Sequence, residues 1–476
     1  MRQWMVAAKK ADFYVIAEKF HVDPVVARII RNREVIGEKN IRIYLGGNLS
    51  DLSDPHQMKD MDRLVEILAQ KIRKQVHIRI IGDYDVDGVT SSHLFLTALR
   101  RVGAKVDVVI PHRIQDGYGL SLHLLQQAKE DGVDTILTCD NGIAAIDEIA
   151  WAKAQKMTVL VTDHHAVPFE EHEGRRTEKK SLADAVVNPH QQDCGYPYKE
   201  LCGAGVAWNV IRVLYENYDM DKREAEDLLD FVAMATVCDV MSLTGENRIL
   251  VKEGLKRIRH TKNIGLQALM QACNVQPENI SAYHFGYVLG PCVNATGRLD
   301  TARHALRLFE TGQETEAEEI ARDLVDLNQE RKELTLQGVE MAKKLCEEGG
   351  YENDPVLVLF LPDVHESIAG LIAGRIREMY NRPVFVLTRG EEGVKGSGRS
   401  TENYSMYENM CGCAELFTKF GGHPMAAGLS LPEENVEKFR RKINENCPLT
   451  VEEVCPDIHI DMAMPVGYAV SYTHLT

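Results

Sequence analysis

The stretch IIGDYDVDGVTSS (80–92) sets Asp83, Asp85 and Asp87 on alternate positions directly after an apolar run. Like charges this close repel unless a cation gathers them or water screens them in a turn. Further acidic sites follow the same pattern. Asp140 closes DTILTCD, Asp163 leads His164 and His165 after MTVLVT, and Asp239 ends the apolar run FVAMATVCD. Carboxylates with one or two imidazoles form an oxygen-rich set that suits Mn²⁺ or Mg²⁺. Two such ions ~3.5–4 Å apart activate a water and stabilise the attacking and leaving oxygens of a displacement. Carboxylates two residues apart in a turn, such as Asp85 and Asp87, can point at different ions. An aspartate after a strand is also a common helix cap or turn residue, and a Zn²⁺ hydrolase is another chemistry for such a set. A calcium loop is excluded, because it needs a glutamate six residues after Gly88, where Leu94 stands.

The elements that position these residues follow from periodicity. VHIRII (76–81), KVDVVIP (105–111), DTILTCD (134–140), MTVLVTDHH (157–165) and ADAVVNP (183–189) read as short apolar strands. TSSHLFLTALRRVG (90–103) and AAIDEIAWAKAQ (144–155) have helical spacing between them. Alternating strands and helices imply a doubly wound, mainly parallel sheet. Right-handed crossovers then bring the strand ends, and the acidic sites after them, to one edge. Residues 1–72 lack strand alternation and read as helical, 170–181 as a charged loop, and 203–260 as mostly helical. Residues 316–348 carry no glycine or proline except Gly338 and predict one long helix. A second, smaller α/β unit follows, with strands PVLVLFLP (355–362), PVFVLTRG (383–390), VKGSGRS (394–400) and AAGLSL (426–431) around the helix SIAGLIAGRIREMY (367–380).

With 476 residues the chain exceeds one ordinary core. An apolar fraction of 44% beside 26% charged residues reads as globular. No apolar run approaches the ~18 residues of a membrane span, and the N-terminus has no signal-peptide core, so a cytoplasmic location is expected. The 11 cysteines include no Cys-x-x-Cys pair and read as reduced thiols. A net charge of −16 argues against broad non-specific nucleic-acid binding, though not against a local basic groove.

DYDVDG (83–88), TCDNG (138–142), TDHH (162–165) and VCDVMSLTGENR (237–248) resemble the first four motifs of the DHH phosphoesterase superfamily. GPCVNATGRL (290–299), SIAGLIAGRI (367–376), GSGRS (396–400) and FGGHPMAAG (420–428) resemble the further motifs of its RecJ branch and the DHH-associated second domain. The similarity covers roughly residues 40–465. It implies a DHH domain over 73–312 behind a helical segment (1–72), a connecting helix over 313–350, and a DHH-associated domain over 351–448. It also implies that 449–476 holds at most the opening of an oligonucleotide-binding barrel, so the chain reads as truncated.

The resemblance implies Asp85, Asp87, Asp140, His164 and Asp239 as ligands of two Mn²⁺ or Mg²⁺ ions, with Asp140 bridging. One of His164 and His165 ligates and the other contacts the scissile phosphate; Asp140, His164 and His165 are the catalytic set. Asp83 either binds a metal through water or orients the loop. Arg113, Ser397 and Arg399 resemble a pocket for a terminal 5′-phosphate, where a guanidinium fork with a hydroxyl favours the extra charge. In GSGRS the glycines are expected to let the backbone approach the phosphate. Arg298, Gln329 and Arg375 resemble strand-holding residues; for Arg375 and Gln329 a plain surface role is the competing reading. His423 is either site-facing or a structural histidine in a glycine turn. Asn294 orients phosphate or caps the GR turn, and Asn188 and Pro189 are structural.

The implied activity is 5′→3′ exonucleolytic hydrolysis of single-stranded DNA to mononucleotides in repair and recombination. Implied partners are single-stranded DNA, single-strand-binding protein and a RecQ-type helicase. A cleft between the domains, too narrow for a duplex, would give single-strand selectivity by width. Two other readings compete. One is a DHH phosphodiesterase for short oligonucleotides or cyclic dinucleotides, or a pyrophosphatase, and a substrate-length series separates it. The other is a non-catalytic replication scaffold that has lost its metals.

Overall fold

The computed structural model describes residues 3–7, 9–113, 116–117, 119–172, 175–351, 354–390, 393–450 and 457–464. The chain forms two compact units. One is Gly37–Gln329; the other joins Met1–Ile36 to Glu330–Thr476.

The Gly37–Gln329 unit is built on five parallel strands: β1 (Ile78–Ile81), β2 (Val106–Val109), β3 (Thr135–Cys139), β4 (Thr158–Thr162) and β5 (Ala185–Val187). Their order is β2-β1-β3-β4-β5. Runs such as IRII and TILTC are apolar at nearly every position because helices cover both faces. Ile80, Leu137 and Leu160 pack on one side with the helices Met61–Arg73, Val86–Arg101 and Gly203–Asn217. Ile81, Ile136 and Val159 pack on the other side with Leu122–Glu130 and Ile146–Ala154. The chain steps outward from β1 to β2 and returns across it to β3, so strand order reverses between β1 and β3. In doubly wound sheets such a switch point opens a crevice at the carboxyl ends of the strands.

The helices Leu229–Cys238, Gly245–Ile258, Ile264–Ala272, Gly290–Leu299 and Ala302–Glu310 extend this unit. NATGRL therefore ends a helix rather than forming a turn. The GENR segment ties the unit to its first helix: Arg248 stacks 3.8 Å over Tyr44 and donates to the Tyr44 carbonyl at 2.5 Å. Glu314–Glu348 is one helix of 35 residues. Its Ala317, Ala321 and Leu324 join the core of this unit, and its Val339, Ala342 and Cys346 join a core of the other. No described helix is long and apolar enough to cross a membrane.

The second unit holds a mixed sheet of β6 (Leu357–Phe360), β7 (Val384–Gly390), β8 (Gly393–Arg399), β9 (Lys419–Gly422) and β10 (Ala426–Leu431), in the order β9-β10-β8-β7-β6. β6 and β7 are parallel across the helix Ala369–Tyr380; the other pairs are antiparallel. The strand β9 lies beyond those expected.

Two expectations need correction. The N-terminal segment is not wholly helical: Gln3–Val6 is a strand, paired in parallel with Asp457–Ile460, and Met1–Ile36 belongs to the second unit. A four-residue strand whose partner lies over 450 residues away leaves no local pattern. The charged stretch 170–181 is not a plain loop, because Phe169–His172 and Arg175–Glu178 form an antiparallel ribbon with Glu171 opposite Arg176. Of the expected barrel opening, 451–456 and 465–476 lie outside the described residues.

Candidate metal centre

The carboxyl ends of β1, β3 and β4 converge as the topology requires, and each side chain has a local reason for its place. After β1 the chain turns sharply into the Val86–Arg101 helix. Gly88 makes this turn possible, since a Cβ there would lie 2.5 Å from Asp83 backbone atoms. Asp85 is the N-cap of that helix and accepts from the Gly88 N–H at 3.0 Å. Capping and membership of the cluster thus coexist in one side chain. Asp87 is buried and accepts from the N–H groups of Gly203 and Ala204 at 2.6 and 2.7 Å. Those N–H groups open the Gly203–Asn217 helix, whose positive end favours a carboxylate. Asp140 follows β3 with a left-handed φ of 61°, an uncommon conformation for a residue with a Cβ. Asp239 is the C-cap of the Leu229–Cys238 helix.

The cluster is tight. His164 Nε2 lies 3.1 Å from Asp140 Oδ1, 3.6 Å from Asp239 Oδ2 and 3.7 Å from Asp87 Oδ2. His165 Nδ1 lies 3.9 Å from Asp140 Oδ1. Three overlapping groups have donor atoms close enough to share an ion: Asp83, Asp85 and Asp140; Asp87, His164 and Asp239; and Asp140, His164 and His165. Asp85 and Asp87 fall in different groups, and Asp140 belongs to two.

The electrostatics suit cations. Burial, with Asp85 beside it, holds the Asp83 carboxyl well above the usual range. Burial and the crowd of Asp87, Asp85 and Asp83 do the same to Asp140. Asp87 is raised by burial against the opposing pull of His164. Asp239 is pushed up to about 8 by burial and by Asp87 and Asp85. Asp83 Oδ1 is buried with no hydrogen-bond partner, and an orphaned buried acceptor calls for an explanation. Five carboxylates held against their own repulsion, one with an unused oxygen, fit hard divalent ions.

The two histidines differ. Burial lowers His164, which favours the neutral, ligating imidazole. His165 is raised to about 9: burial opposes its charge, but the hydrogen bond to Asp163 and that carboxylate's field outweigh burial. Its Nδ1 lies 2.8 Å from Asp163 Oδ1.

Several supports were missed in the sequence. Asp163 also accepts from the N–H groups of His164, His165 and Ile143 at 2.7, 3.0 and 2.9 Å, fixing the whole DHH turn. Asn141 donates to the carbonyls of Ile81 and Cys139 at 3.1 and 2.9 Å and so clamps the ends of β1 and β3. Asn188 donates to the His165 carbonyl at 2.9 Å, in keeping with a structural role. Asn294 accepts from the Val86 N–H at 3.1 Å, so it holds the DYDVDG loop rather than capping a GR turn. The bonds of Asp163 to Ile143, Asn141 to Ile81, Asn188 to His165 and Asn294 to Val86 join segments apart in sequence, and only the Asp and Asn residue types hinted at them.

Of the expected substrate residues, Arg113 and Arg298 lie with this cluster. Arg113 is 4.5 Å over the ring of Tyr84, between Asp83 and Asp85 in sequence. Arg298 is half-buried on the Gly290–Leu299 helix, whose Gly297 abuts the Tyr84 carbonyl. Gln329 is exposed on the long helix. Ser397, Arg399, Arg375 and His423 belong to the other unit. There Arg399 Nη1 donates to Ser397 Oγ at 3.2 Å. The glycines of GSGRS do not open this pair: Gly396 makes room for Leu387 and Leu429, and Gly398 for Phe385. Gly370 does, since a Cβ there would lie 2.7 Å from Arg399 Nη2 and 2.8 Å from Ser397 Oγ. Arg375 is exposed, 3.6 Å from Glu378, which matches a surface ion pair. His423 is exposed in the turn between β9 and β10, its N–H donating to the Ala426 carbonyl at 2.8 Å.

A switch-point sheet carrying this carboxylate and imidazole cluster, followed by a separate mixed-sheet unit, defines a two-domain DHH protein. The DHH family N-terminal domain matches residues 77–236, and the DHHA1 domain matches 353–447. The single-stranded-DNA-specific exonuclease RecJ of Haemophilus influenzae is 36% identical over 440 residues, covering 89% of this chain and 74% of that protein. RecJ of Bacillus subtilis is 33% identical over 455 residues, covering 95% of this chain and 56% of its own length. The crystal structure of Thermus thermophilus RecJ in complex with Mn²⁺ superposes with a TM-score of 0.82 at 27% identity, covering 99% of this chain and 66% of that one. The chain belongs to the RecJ family of single-stranded-DNA-specific exonucleases. It spans from just over half to three quarters of these relatives' length.

Proposed function

We propose that the chain is a 5′→3′ exonuclease that hydrolyses single-stranded DNA to mononucleotides with two Mn²⁺ or Mg²⁺ ions, in DNA repair and recombination. The observation that carries the reading is the trio of overlapping donor groups linked through Asp140 and His164. In this reading Asp83, Asp85 and Asp140 hold one ion, and Asp87, His164 and Asp239 hold the other, with Asp140 shared. Bound ions supply Lewis acidity toward the phosphate and the attacking water. Gly203, Ala204, Asn294 and Asn141 keep the carboxylates in place through the bonds described above. His165, held charged by Asp163, donates to a non-bridging oxygen of the scissile phosphate and offsets charge that grows during displacement. Arg113, Ser397 and Arg399 bind the terminal 5′-phosphate. Arg298 holds the strand, with Gln329, Arg375 and His423 as weaker contributors.

The same reading keeps a DHH domain over 73–312, a connecting helix over 313–350 and a DHH-associated domain over 351–448. It also includes a cytoplasmic location, and docking to single-strand-binding protein and a RecQ-type helicase. The test is Mn²⁺-dependent digestion of single-stranded DNA blocked at its 5′ or its 3′ end. The 5′ block should stop degradation and the 3′ block should not. Degradation from a free 3′ end would contradict the polarity.

A further inference from the structure

The Gly37–Gln329 unit holds a second concavity, of about 910 Å³, near the C-terminal end of the Val86–Arg101 helix. His93, on its floor, lies six residues beyond Asp87, or ~9 Å along the helix axis at 1.5 Å per residue, and Arg100, on its rim, 13 residues or ~20 Å. None of the metal-centre residues lines it. The volume is in the range of small-molecule sites and too small for a protein partner.

Its lining is unusual for so acidic a chain. Arg100, Arg101, Lys256, Arg257 and Lys262 face three carboxylates, Asp227, Asp230 and Glu310. Arg101 and Arg257 are engaged with Glu224 and Glu226 at 2.6 and 2.9 Å, and Lys256 with Glu253 at 2.6 Å. Arg100 is only loosely paired, 3.6 Å from Glu310. His260 and Lys262 are exposed and have no ion-pair partner among the described residues. The rim thus offers cations to an anion.

The floor differs in kind. The His93 ring lies tilted at 46° to Phe231 with centroids 4.4 Å apart, and Phe231 meets Phe309 edge-on at 5.0 Å. His93 is 5% exposed, and its Nδ1 is buried with no hydrogen-bond partner. Burial lowers His93 to about 3, so the ring is neutral. A neutral imidazole has one nitrogen that accepts and one that donates. Beside it Asp230 accepts from the Thr261 hydroxyl at 2.7 Å. An apolar, aromatic floor with an unused neutral polar atom, under a cationic rim, matches a ligand with a flat heteroaromatic part and a phosphate.

We propose that this concavity is a binding site for a nucleoside phosphate, distinct from the metal centre and from the proposed DNA path. The base lies on the His93 and Phe231 side, and the phosphate meets His260, Lys262 and Arg100. The proposal does not depend on the exonuclease reading.

The test uses the full chain carrying Asp140→Ala and Arg399→Ala, in chelator, so that the metal centre and the proposed 5′-phosphate site are disabled. AMP, adenosine and inorganic phosphate are titrated separately by calorimetry. AMP should bind at least ~10-fold more tightly than either fragment, since both halves of the site contribute. Adding the exposed pair His260→Ala and Lys262→Ala should weaken AMP by ~10-fold or more. His93→Phe should weaken AMP and leave phosphate unchanged. No AMP binding, or AMP binding unaffected by the His260 and Lys262 changes, would overturn the proposal. Phosphate binding as tightly as AMP would overturn the nucleotide assignment.

Discussion

Alanine at Gly203 would place a methyl carbon 2.7 Å from Asp140 Cβ, 2.8 Å from its Oδ1 and 3.0 Å from its Cα. Ordinary carbon contacts lie at ~3.5–4.0 Å, so Asp140 and the helix start must separate by about 1 Å. Neither side yields easily. Asp140 is already in a left-handed conformation, and the Gly203 N–H is bonded to Asp87 at 2.6 Å. The displacement therefore falls on Asp87, assigned to one ion, and on Asp140, assigned to both. A misplacement of about 1 Å costs ~100-fold in rate, or ~2.7 kcal/mol at the transition state. Overpacking costs ~1–3 kcal/mol of stability, so the variant should still fold. The assay is kcat on single-stranded DNA at saturating Mn²⁺, with Gly205→Ala as control. That methyl would lie 3.3 Å or more from the Leu201 side chain alone, and kcat should stay within about threefold. Gly203→Ala with unchanged kcat and unchanged Mn²⁺ affinity would refute the reasoning.

His165 should titrate near 9 by NMR in the metal-free chain, and Asp163→Asn should bring it toward the ordinary ~6.5; a value near 6.5 in the parent chain would refute the Asp163 clamp. The metal-free chain should lose thermal stability as pH rises from about 6.5 to 9. His165, raised on folding, contributes stability below its unfolded pKa that is lost through about 9, and Asp239, raised to about 8, adds a loss that begins at its unfolded value of ~3.9 and is complete by about 8. Scanning calorimetry with and without Mn²⁺ checks this; at ~100 Kd the ion should add ~2.7 kcal/mol, and a metal-free profile flat over that window would contradict it. Arg399→Ala should weaken use of 5′-phosphorylated DNA by ~10–100-fold, the worth of one or two charge-assisted hydrogen bonds. It should leave 5′-hydroxyl DNA nearly unchanged; an equal loss on both would show that Arg399 does not read the terminal phosphate.

The strand ends were legible because buried parallel strands read as apolar runs, and the acidic residues after them share an edge by topology. Asp83 was left undecided by the sequence; burial of an oxygen without a partner speaks for ligation. The supports were not legible. Asn294 reaches Val86, and Gly203 reaches Asp87, across 208 and 116 residues of sequence, and no local pattern encodes such pairs. The strand Gln3–Val6 was hidden for the same reason. The ribbon at 169–178 was masked by charge, which reads as solvated loop whether or not it pairs. The GSGRS glycines showed that room was needed, but not that Leu387 and Phe385 would fill it.

The central claim is a two-ion centre bridged by Asp140. Its most direct test is the Mn²⁺ stoichiometry of the chain by calorimetry, with electron paramagnetic resonance on the same samples. The account predicts two ions per chain with spin coupling between them, and loss of that coupling with at most one ion in Asp140→Ala. Two coupled ions persisting in Asp140→Ala, or no binding by the parent chain, would contradict it.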